Sequence, residues 1–289
     1  MRVLVTGGAG YVGSVTVEAL VSAGHEPVVL DDCSTGHAAA VPAGVVHLRQ
    51  DYTEEIATAE ALREHGIEAI LHCAARSLVG ESIREPSRYY RQNVAGGIAL
   101  IEAARAAHVD RIVFSSTAAV YGTPDTTPIT EDAPLRPINP YGETKRTFEG
   151  ALGWYGRAYG LRSVSLRYFN VAGATEANGE DHEPETHLIP SILRAAETGV
   201  DLTMFGDDYP TPDGTPIRDY IDVRDLADAH IRALEATGRS DAPITSTFNL
   251  GRSAGVSVRE VIAAAETVVG HAIPVTVGPR REGDPPILV

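Results

Sequence analysis

Short apolar runs alternate with longer mixed stretches over the first 170 residues. The runs Val3–Thr6, Pro27–Leu30, Val45–Leu48, Ala69–Cys73, Ile112–Ser115 and Ser163–Tyr168 have the length and composition of strands buried on both faces. Helical segments are predicted at Val12–Ala23, Arg91–Ala107 and Tyr141–Tyr159, with Gly24 and Gly160 where helix C-caps fall. Such alternation predicts an α/β fold: a doubly wound parallel sheet of six strands, covered by helices on both faces. After Asn170 the rhythm changes. A loop rich in Glu, Asp, Gly and Pro (Thr175–Glu185) leads into a helix at His187–Thr198 and a short strand at Leu202–Phe205. The turn-rich stretch Tyr209–Pro216 precedes a helix at Asp222–Ala236, a strand at Thr247–Leu250 and a helix at Val256–Val269. The expected organisation is a first domain over 1–170 and a smaller mixed α/β domain over 171–289, with some elements interleaving.

Composition narrows the possible partners. The 289 residues are 43% hydrophobic, enough for a sizeable core, and the formal net charge of -15 disfavours nucleic acid and anionic membrane. An anionic small ligand would need locally placed arginines. Cys33 and Cys73 are far apart in apolar or strand-like surroundings, so buried thiols are expected in place of a disulfide or zinc framework. The chain opens directly on a strand pattern and has no apolar run long enough to span a bilayer, which predicts a soluble, cytoplasmic protein.

The run Gly7-Gly8-Ala9-Gly10-Tyr11-Val12-Gly13 follows the first strand and opens the first helix. Gly7, Gly10 and Gly13 let backbone approach a pyrophosphate held at the helix N-terminus, as in a Rossmann domain. Asp31, at the end of the second strand, suits the ribose hydroxyls of NAD. Neighbouring Asp32 repels the extra phosphate of NADP, and no basic residue adjoins it in sequence, so NAD is the expected cofactor. Asp51 and Tyr52, and Cys73, Ala74 and Ala75, end the third and fourth strands on the same carboxyl edge.

Tyr141 and Lys145 stand one helical turn apart in Asn139-Pro140-Tyr141-Gly142-Glu143-Thr144-Lys145. On one helix face, the ammonium is expected to favour the phenolate and make it a base near neutral pH. Asn139 suits the N-cap and Pro140 the first helical position. Thr117, after Ser115-Ser116, should bring a hydroxyl to the same edge.

These residues together resemble the extended short-chain dehydrogenase/reductase superfamily and, within it, the UDP-glucose 4-epimerase family. The likeness also runs through Val79-Gly80-Glu81-Ser82, Ser115–Gly122, Arg167-Tyr168-Phe169-Asn170, Arg218-Asp219-Tyr220 and Pro279–Asp284. It implies Thr117, Tyr141 and Lys145 as the catalytic set. Tyr11, Val12, Asn93, Ser115, Tyr141, Lys145 and Tyr168 join the implied cofactor contacts. Thr117, Tyr141, Phe169, Asn170, His187, Leu188, Phe205 and Tyr220 face a UDP-hexose, with Arg218 and Arg281 at its diphosphate and Asp284 at its ribose. The implied reaction interconverts UDP-galactose and UDP-glucose through a 4-keto sugar, in a homodimer using Arg91–Ala107 and Tyr141–Tyr159.

Departures from the family pattern qualify the reading. Arg76-Ser77 stands where relatives carry a lysine, and Leu288 stands where some have a tyrosine that limits 2-acetamido sugars, so UDP-N-acetylhexosamine is an alternative substrate. UDP-hexuronate is another. A 4,6-dehydratase is disfavoured because Ala118-Ala119 replaces the acid pair that expels water. A regulatory NAD-binding protein would be marked by loss of Tyr141 or Lys145; both are present, so an inactive NAD-binding fragment stays an alternative only if the shortened C-terminus disables the enzyme. Relatives continue beyond the Arg281–Asp284 block, so the smaller domain is expected to look C-terminally truncated. His182, Glu183, Glu185 and His187 have donor atoms for a metal, but their Pro- and acid-rich context favours a solvated lid, and no metal is expected.

Overall fold

The structure, a computed structural model, describes residues 1–183, 185–239 and 245–289. The first half runs β1 (Arg2–Thr6), α1 (Tyr11–Ser22), β2 (Glu26–Leu30), β3 (Val46–Leu48), α2 (Glu55–Glu64), β4 (Ala69–His72), α3 (Val79–Arg84), α4 (Pro86–Tyr89), a π-helical turn (Tyr90–Gly96), α5 (Gly97–Ala106), β5 (Arg111–Ser115) and α6 (Pro140–Tyr159). The second half runs β6 (Arg162–Tyr168), β7 (Asn170–Ala172), α7 (Leu188–Thr198), β8 (Leu202–Phe205), β9 (Ile217–Asp222), α8 (Val223–Gly238), β10 (Thr245–Leu250), β11 (Gly255–Ser257), α9 (Val258–Val269), β12 (Val275–Gly278) and β13 (Ile287–Leu288).

The large sheet has seven parallel strands in the order β10-β6-β5-β4-β1-β2-β3. Strand order reverses between β1 and β4, which opens a crevice at their carboxyl ends. Alternate residues of each strand enter opposite cores. Val3 and Val5 pack with Val17 and Leu20 of α1 and Ile231 and Leu234 of α8. Leu4, Ile70 and Phe114 pack with Leu62 of α2, Leu100 of α5 and Phe148 and Leu152 of α6. Phe114 and Phe148 meet edge-on with centroids 4.7 Å apart, a contact of about 0.5–1.5 kcal/mol beyond its buried area.

Two elements depart from the sequence-based partition. Thr247–Leu250 and Asp222–Ala236 were expected in the smaller unit, yet β10 extends the large sheet beside β6 and α8 packs beside α1. The β2–β3 connection carries only the 3-10 turn Ala38–Ala40, so α8 supplies cover on the α1 face. Chain order cannot reveal this, because both elements return after a long excursion. The remaining C-terminal elements form small sheets: β11-β9-β13 with β7 beside β9, and β12 beside β8. Arg91–Ala107 also differs, its first part being the π turn. Added Cβ atoms at Gly96 and Gly97 would fall 2.4 Å from Thr53 and 2.6 Å from the Phe148 ring, so these glycines permit close passage between the segment before α2 and α6.

Candidate active site

The glycine run turns tightly between β1 and α1. Gly7 has φ +72°, and a Cβ there would lie 2.6 Å from the Ala74 backbone nitrogen; one on Gly13 would lie 2.0 Å from the Gly7 carbonyl oxygen. Gly10 is the N-cap of α1 and brings no capping side chain to the helix start. This bare, positively polarised helix end with glycine-only clearance fits a pyrophosphate. Gly36, which the sequence reading passed over, packs on the same loop: its Cβ would lie 2.7 Å from the Ala9 carbonyl.

Asp31 accepts from the Ala9 N–H at 3.0 Å through one carboxylate oxygen and from the Cys33 N–H at 2.8 Å through the other. It therefore pins the glycine loop to the end of β2, with a second lone pair on each oxygen left for ribose hydroxyls. Asp32 accepts from Ser34 N–H. Although no basic residue adjoins this pair in sequence, the fold brings exposed Arg49 against Cys33 from beyond β3. Burial and Asp31 push the Cys33 thiol up, and Arg49 partly offsets them.

Asp51 accepts from Thr53 N–H, and buried Tyr52 donates to the Gln92 carbonyl at 2.7 Å. Cys73 and Ala74 donate their N–H groups to Thr6, placing Ala75 at the β1/β4 crevice. Three further expected cofactor contacts also have their side chains engaged within the protein. Asn93 accepts from Arg76 N–H at 2.8 Å and donates to the Arg76 carbonyl and Thr144, so its amide holds the loop after β4. Ser115 is fully buried and its hydroxyl lies 2.8 Å from His230 Nε2, because its strand position faces α8. Tyr11 donates to the Gly173 carbonyl at 2.6 Å, tying α1 to the loop after β7. Val12 follows it in the first turn of α1.

The proton-transfer candidates meet at the start of α6. Asn139 caps that helix by accepting from Gly142 N–H at 2.9 Å, Pro140 occupies its first turn and Gly160 ends it in the left-handed conformation. A Cβ on Gly142 would lie 2.5 Å from the Ala119 carbonyl oxygen, so glycine lets α6 approach the turn that follows Thr117. Thr117 caps that turn, accepting from Ala119 N–H, and its hydroxyl lies near enough to the Tyr141 phenol to lower the phenol's pKa. Lys145 Nζ donates to the Ser115 carbonyl at 2.8 Å and lies 5.9 Å from the Tyr141 ring centroid.

The electrostatics differ from expectation. Burial raises the Tyr141 phenol above its ordinary pKa, the Thr117 hydroxyl only partly offsets this, and the ammonium does not bring the phenol into the neutral range. Lys145 is itself pulled down to about 8, chiefly by burial, with Cys73 and Glu149 acting the other way. Desolvation of both groups outweighs their sequence spacing.

The stripe formed by Tyr141 and Lys145 continues one turn further to Glu149, which the sequence reading missed. Glu149 accepts from Ser116 at 2.5 Å and pairs with Arg167 at 2.6 Å, and both partners of the pair are over 90% buried. Arg167 also donates to the Tyr121 hydroxyl, which in turn donates to Asn249. The four-residue spacing from Lys145 was the available signal.

The second half contributes the opposite wall. Tyr168 ends β6, and its phenol is raised by burial first and then by Tyr141. Phe169 leads into Asn170, which pairs in register with Tyr220 of β9. Arg218 forms an ion pair with Asp284 at 3.3 Å. Arg281 lies 4.2 Å above the Phe205 ring and donates to the Thr186 carbonyl at 3.0 Å, beside His187, the N-cap of α7, and Leu188. The Asn139 amide donates to the Gly283 carbonyl at 3.4 Å, and a Cβ on Gly283 would touch Ile83 and Val79, which brings the C-terminal block to the start of α6. Arg76 follows the β4 edge, held by Asn93 through its backbone. Leu288 is buried with Ala118, Val120 and Tyr121 of the turn that follows Thr117. In the loop before α7, Glu183 is exposed, whereas Glu180 gathers with His182, Glu185 and His187.

Comparison with known proteins agrees with this architecture. The profile of the NAD dependent epimerase/dehydratase family matches residues 3–251. A UDP-glucose 4-epimerase of Corynebacterium glutamicum is 50% identical over 290 residues, covering 100% of this chain and 87% of the relative. The crystal structure of UDP-glucose 4-epimerase from Brucella ovis in complex with NAD superposes with a TM-score of 0.93 at 44% identity, covering 99% of this chain and 88% of that one. The Bifidobacterium longum UDP-glucose 4-epimerase, in complex with NAD+ and UDP, gives 0.93 at 35% identity, covering 99% and 89%.

Proposed function

This chain belongs to the NAD dependent epimerase/dehydratase family, and from that premise we propose that it interconverts UDP-galactose and UDP-glucose by removing and returning hydride at the sugar 4-position. The cofactor is NAD. The observation that carries the reading is the meeting of Thr117, Tyr141 and Lys145 at the carboxyl edge of a sheet whose switch point holds the glycine loop. When bound, NAD supplies the hydride acceptor and, in its oxidised form, a positive charge.

Tyr141 takes the proton of the sugar 4-hydroxyl and gives one back when the 4-keto sugar is reduced. Thr117 holds the phenol and offers the sugar oxygen a second hydrogen-bonding group. Lys145 fixes its charge between the Ser115 carbonyl and the Phe114 ring, 4.7 Å from the ring centroid. Arg218 and Arg281 grip the diphosphate, Asp284 the ribose, and Phe169, Asn170, Tyr220, Phe205, His187 and Leu188 line the remainder. Epimerisation needs the keto sugar to present its other face, so binding energy is concentrated on the uridine diphosphate while the sugar stays loosely held.

In this reading residues 1–170 hold the cofactor and 171–289 grip the sugar nucleotide, with α8 and β10 returned to the larger unit. Two copies pair through α5 and α6. Trp154 is 67% and Tyr159 62% exposed on α6, which supports that pairing, and light scattering at a monomer mass would refute it. Incubation of the purified chain with UDP-galactose and NAD, coupled to UDP-glucose detection, tests the activity. Turnover is expected, and a protein that holds NAD yet forms no UDP-glucose contradicts the assignment.

A further inference from the structure

Beyond the sugar-nucleotide chemistry, and independent of it, the loop between β7 and α7 gathers Glu180, His182, Glu185 and His187. One donor atom from each lies within 4.8 Å of all the others. His182 Nδ1 is 3.5 Å from Glu180 and 3.8 Å from Glu185, while His187 Nδ1 is 2.6 Å from Glu180 and 3.5 Å from Glu185. In a tetrahedral zinc site with bonds of about 2.0–2.1 Å, donors stand roughly 3.3–3.4 Å apart. The separations from Glu180 Oε1 to both rings, from Glu185 Oε2 to His182 and from Glu185 Oε1 to His187 all lie within an ångström of that spacing.

A second observation concerns the imidazoles themselves. Both Nδ1 atoms are buried; His182 Nδ1 has no hydrogen-bond partner, while His187 Nδ1 stands at ion-pair distance, 2.6 Å, from a Glu180 oxygen. A buried ring nitrogen left without a partner, as His182 Nδ1 is, is costly, and a cation placed among the four donors satisfies it. The carboxylates are prepared for the same role. Glu180 and Glu185 side chains are only 11% and 10% exposed, and their ion-pair partners among the described residues are these two histidines. Glu185 is fixed by accepting from the Thr186 and His187 N–H groups, each at 2.7 Å, the kind of outer support that orients a ligating carboxylate.

We propose that Glu180, His182, Glu185 and His187 bind one divalent transition metal of the zinc class. Paired imidazoles select such an ion over magnesium or calcium, and two carboxylates neutralise its charge. Four protein donors leave no open position, so the site is structural. Its effect is on the loop: His37 lies 3.2 Å from the Asp181 carbonyl and Arg281 donates to the Thr186 carbonyl, so the ion would bolt the segment between the cofactor side and the proposed diphosphate side.

The test uses the full chain, stripped with chelator and titrated with Zn(II) alone against a chromophoric competitor, then with Co(II), whose visible spectrum reports coordination number. One equivalent per chain is expected, with a four-coordinate cobalt spectrum. His182→Ala and Glu180→Gln should each weaken zinc by roughly 10–100-fold or more, and Cys33→Ser should not. Circular dichroism of the metal-free variants, matching the parent, separates lost ligation from misfolding. Unchanged affinity in both variants, an octahedral cobalt spectrum, or zinc held no tighter than about 1 mM would overturn the site.

Discussion

Tyr141 illustrates how much a residue's role depends on its surroundings. In the sequence its four-residue spacing from Lys145 points to an activated phenol. In the fold, burial raises the phenol and the ammonium donates to the Ser115 carbonyl instead. Removal of the phenolic oxygen should spare the cofactor loop, which is built from other residues. Tyr141→Phe is expected to bind NAD with parental affinity while kcat falls by about 10²–10⁴; retained turnover would remove Tyr141 from proton transfer. Lys145 gives a pH signature. Its folded pKa of about 8 lies below the ordinary lysine value of 10.5, so the folded chain loses this proton first as pH rises. The charge beside Tyr141 therefore disappears above pH 8, against the gain from ionising the raised phenol, so kcat/KM of the parent should break in slope near pH 8. For this group alone, stability rises with pH between the folded and unfolded values, because the unfolded chain there binds the extra proton. A pH–rate profile flat from 7 to 10 would contradict the assignment.

At the scale of the element, α6 was the most legible part of the chain. Asn139, Pro140 and Gly160 are local signals and sit where their chemistry predicts, as N-cap, first-turn proline and left-handed C-cap. The same helix hides what is non-local. Glu149 shares the stripe of Tyr141 and Lys145, but its partners Ser116 and Arg167 arrive from β5 and β6, and only the fold brings them together. Neutralising Glu149 leaves Arg167, which is 5% exposed, without its counter-charge. Glu149→Gln should therefore cost about 3–5 kcal/mol in denaturant unfolding; a loss within experimental error would mean that water or Tyr121 compensates. The π turn at Tyr90–Gly96 was illegible for a related reason. Its glycines are read by periodicity as weak helix, whereas their role is clearance for Phe148 and Thr53, residues far away in sequence.

For the whole molecule, the strand–helix rhythm sufficed for the doubly wound sheet, because buried parallel strands carry their own apolar signature. It did not suffice for the placement of β10 and α8, which complete the larger unit after the chain has built part of the smaller one. That return has a thermodynamic consequence. His230 of α8 and His72 of β4 are fully enclosed, and burial holds their pKa values down to about 4 and about 3. Both groups are depressed below the unfolded value, so their contribution is intact above pH 6.5 and is lost as pH falls toward 4. Unfolding free energy should drop by up to about 2.7 kcal/mol per pH unit from these two protons. Stability independent of pH between 6 and 4.5 would show that neither is buried neutral.

The central claim, hydride removed from and returned to the same sugar carbon, is tested most directly by following an isotope. UDP-galactose deuterated at C4 would be converted by the NAD-loaded protein in ordinary water, and the UDP-glucose formed would be examined by NMR. Deuterium retained at C4 of the product is predicted. Its replacement by solvent hydrogen, or its appearance at another carbon, would contradict the account.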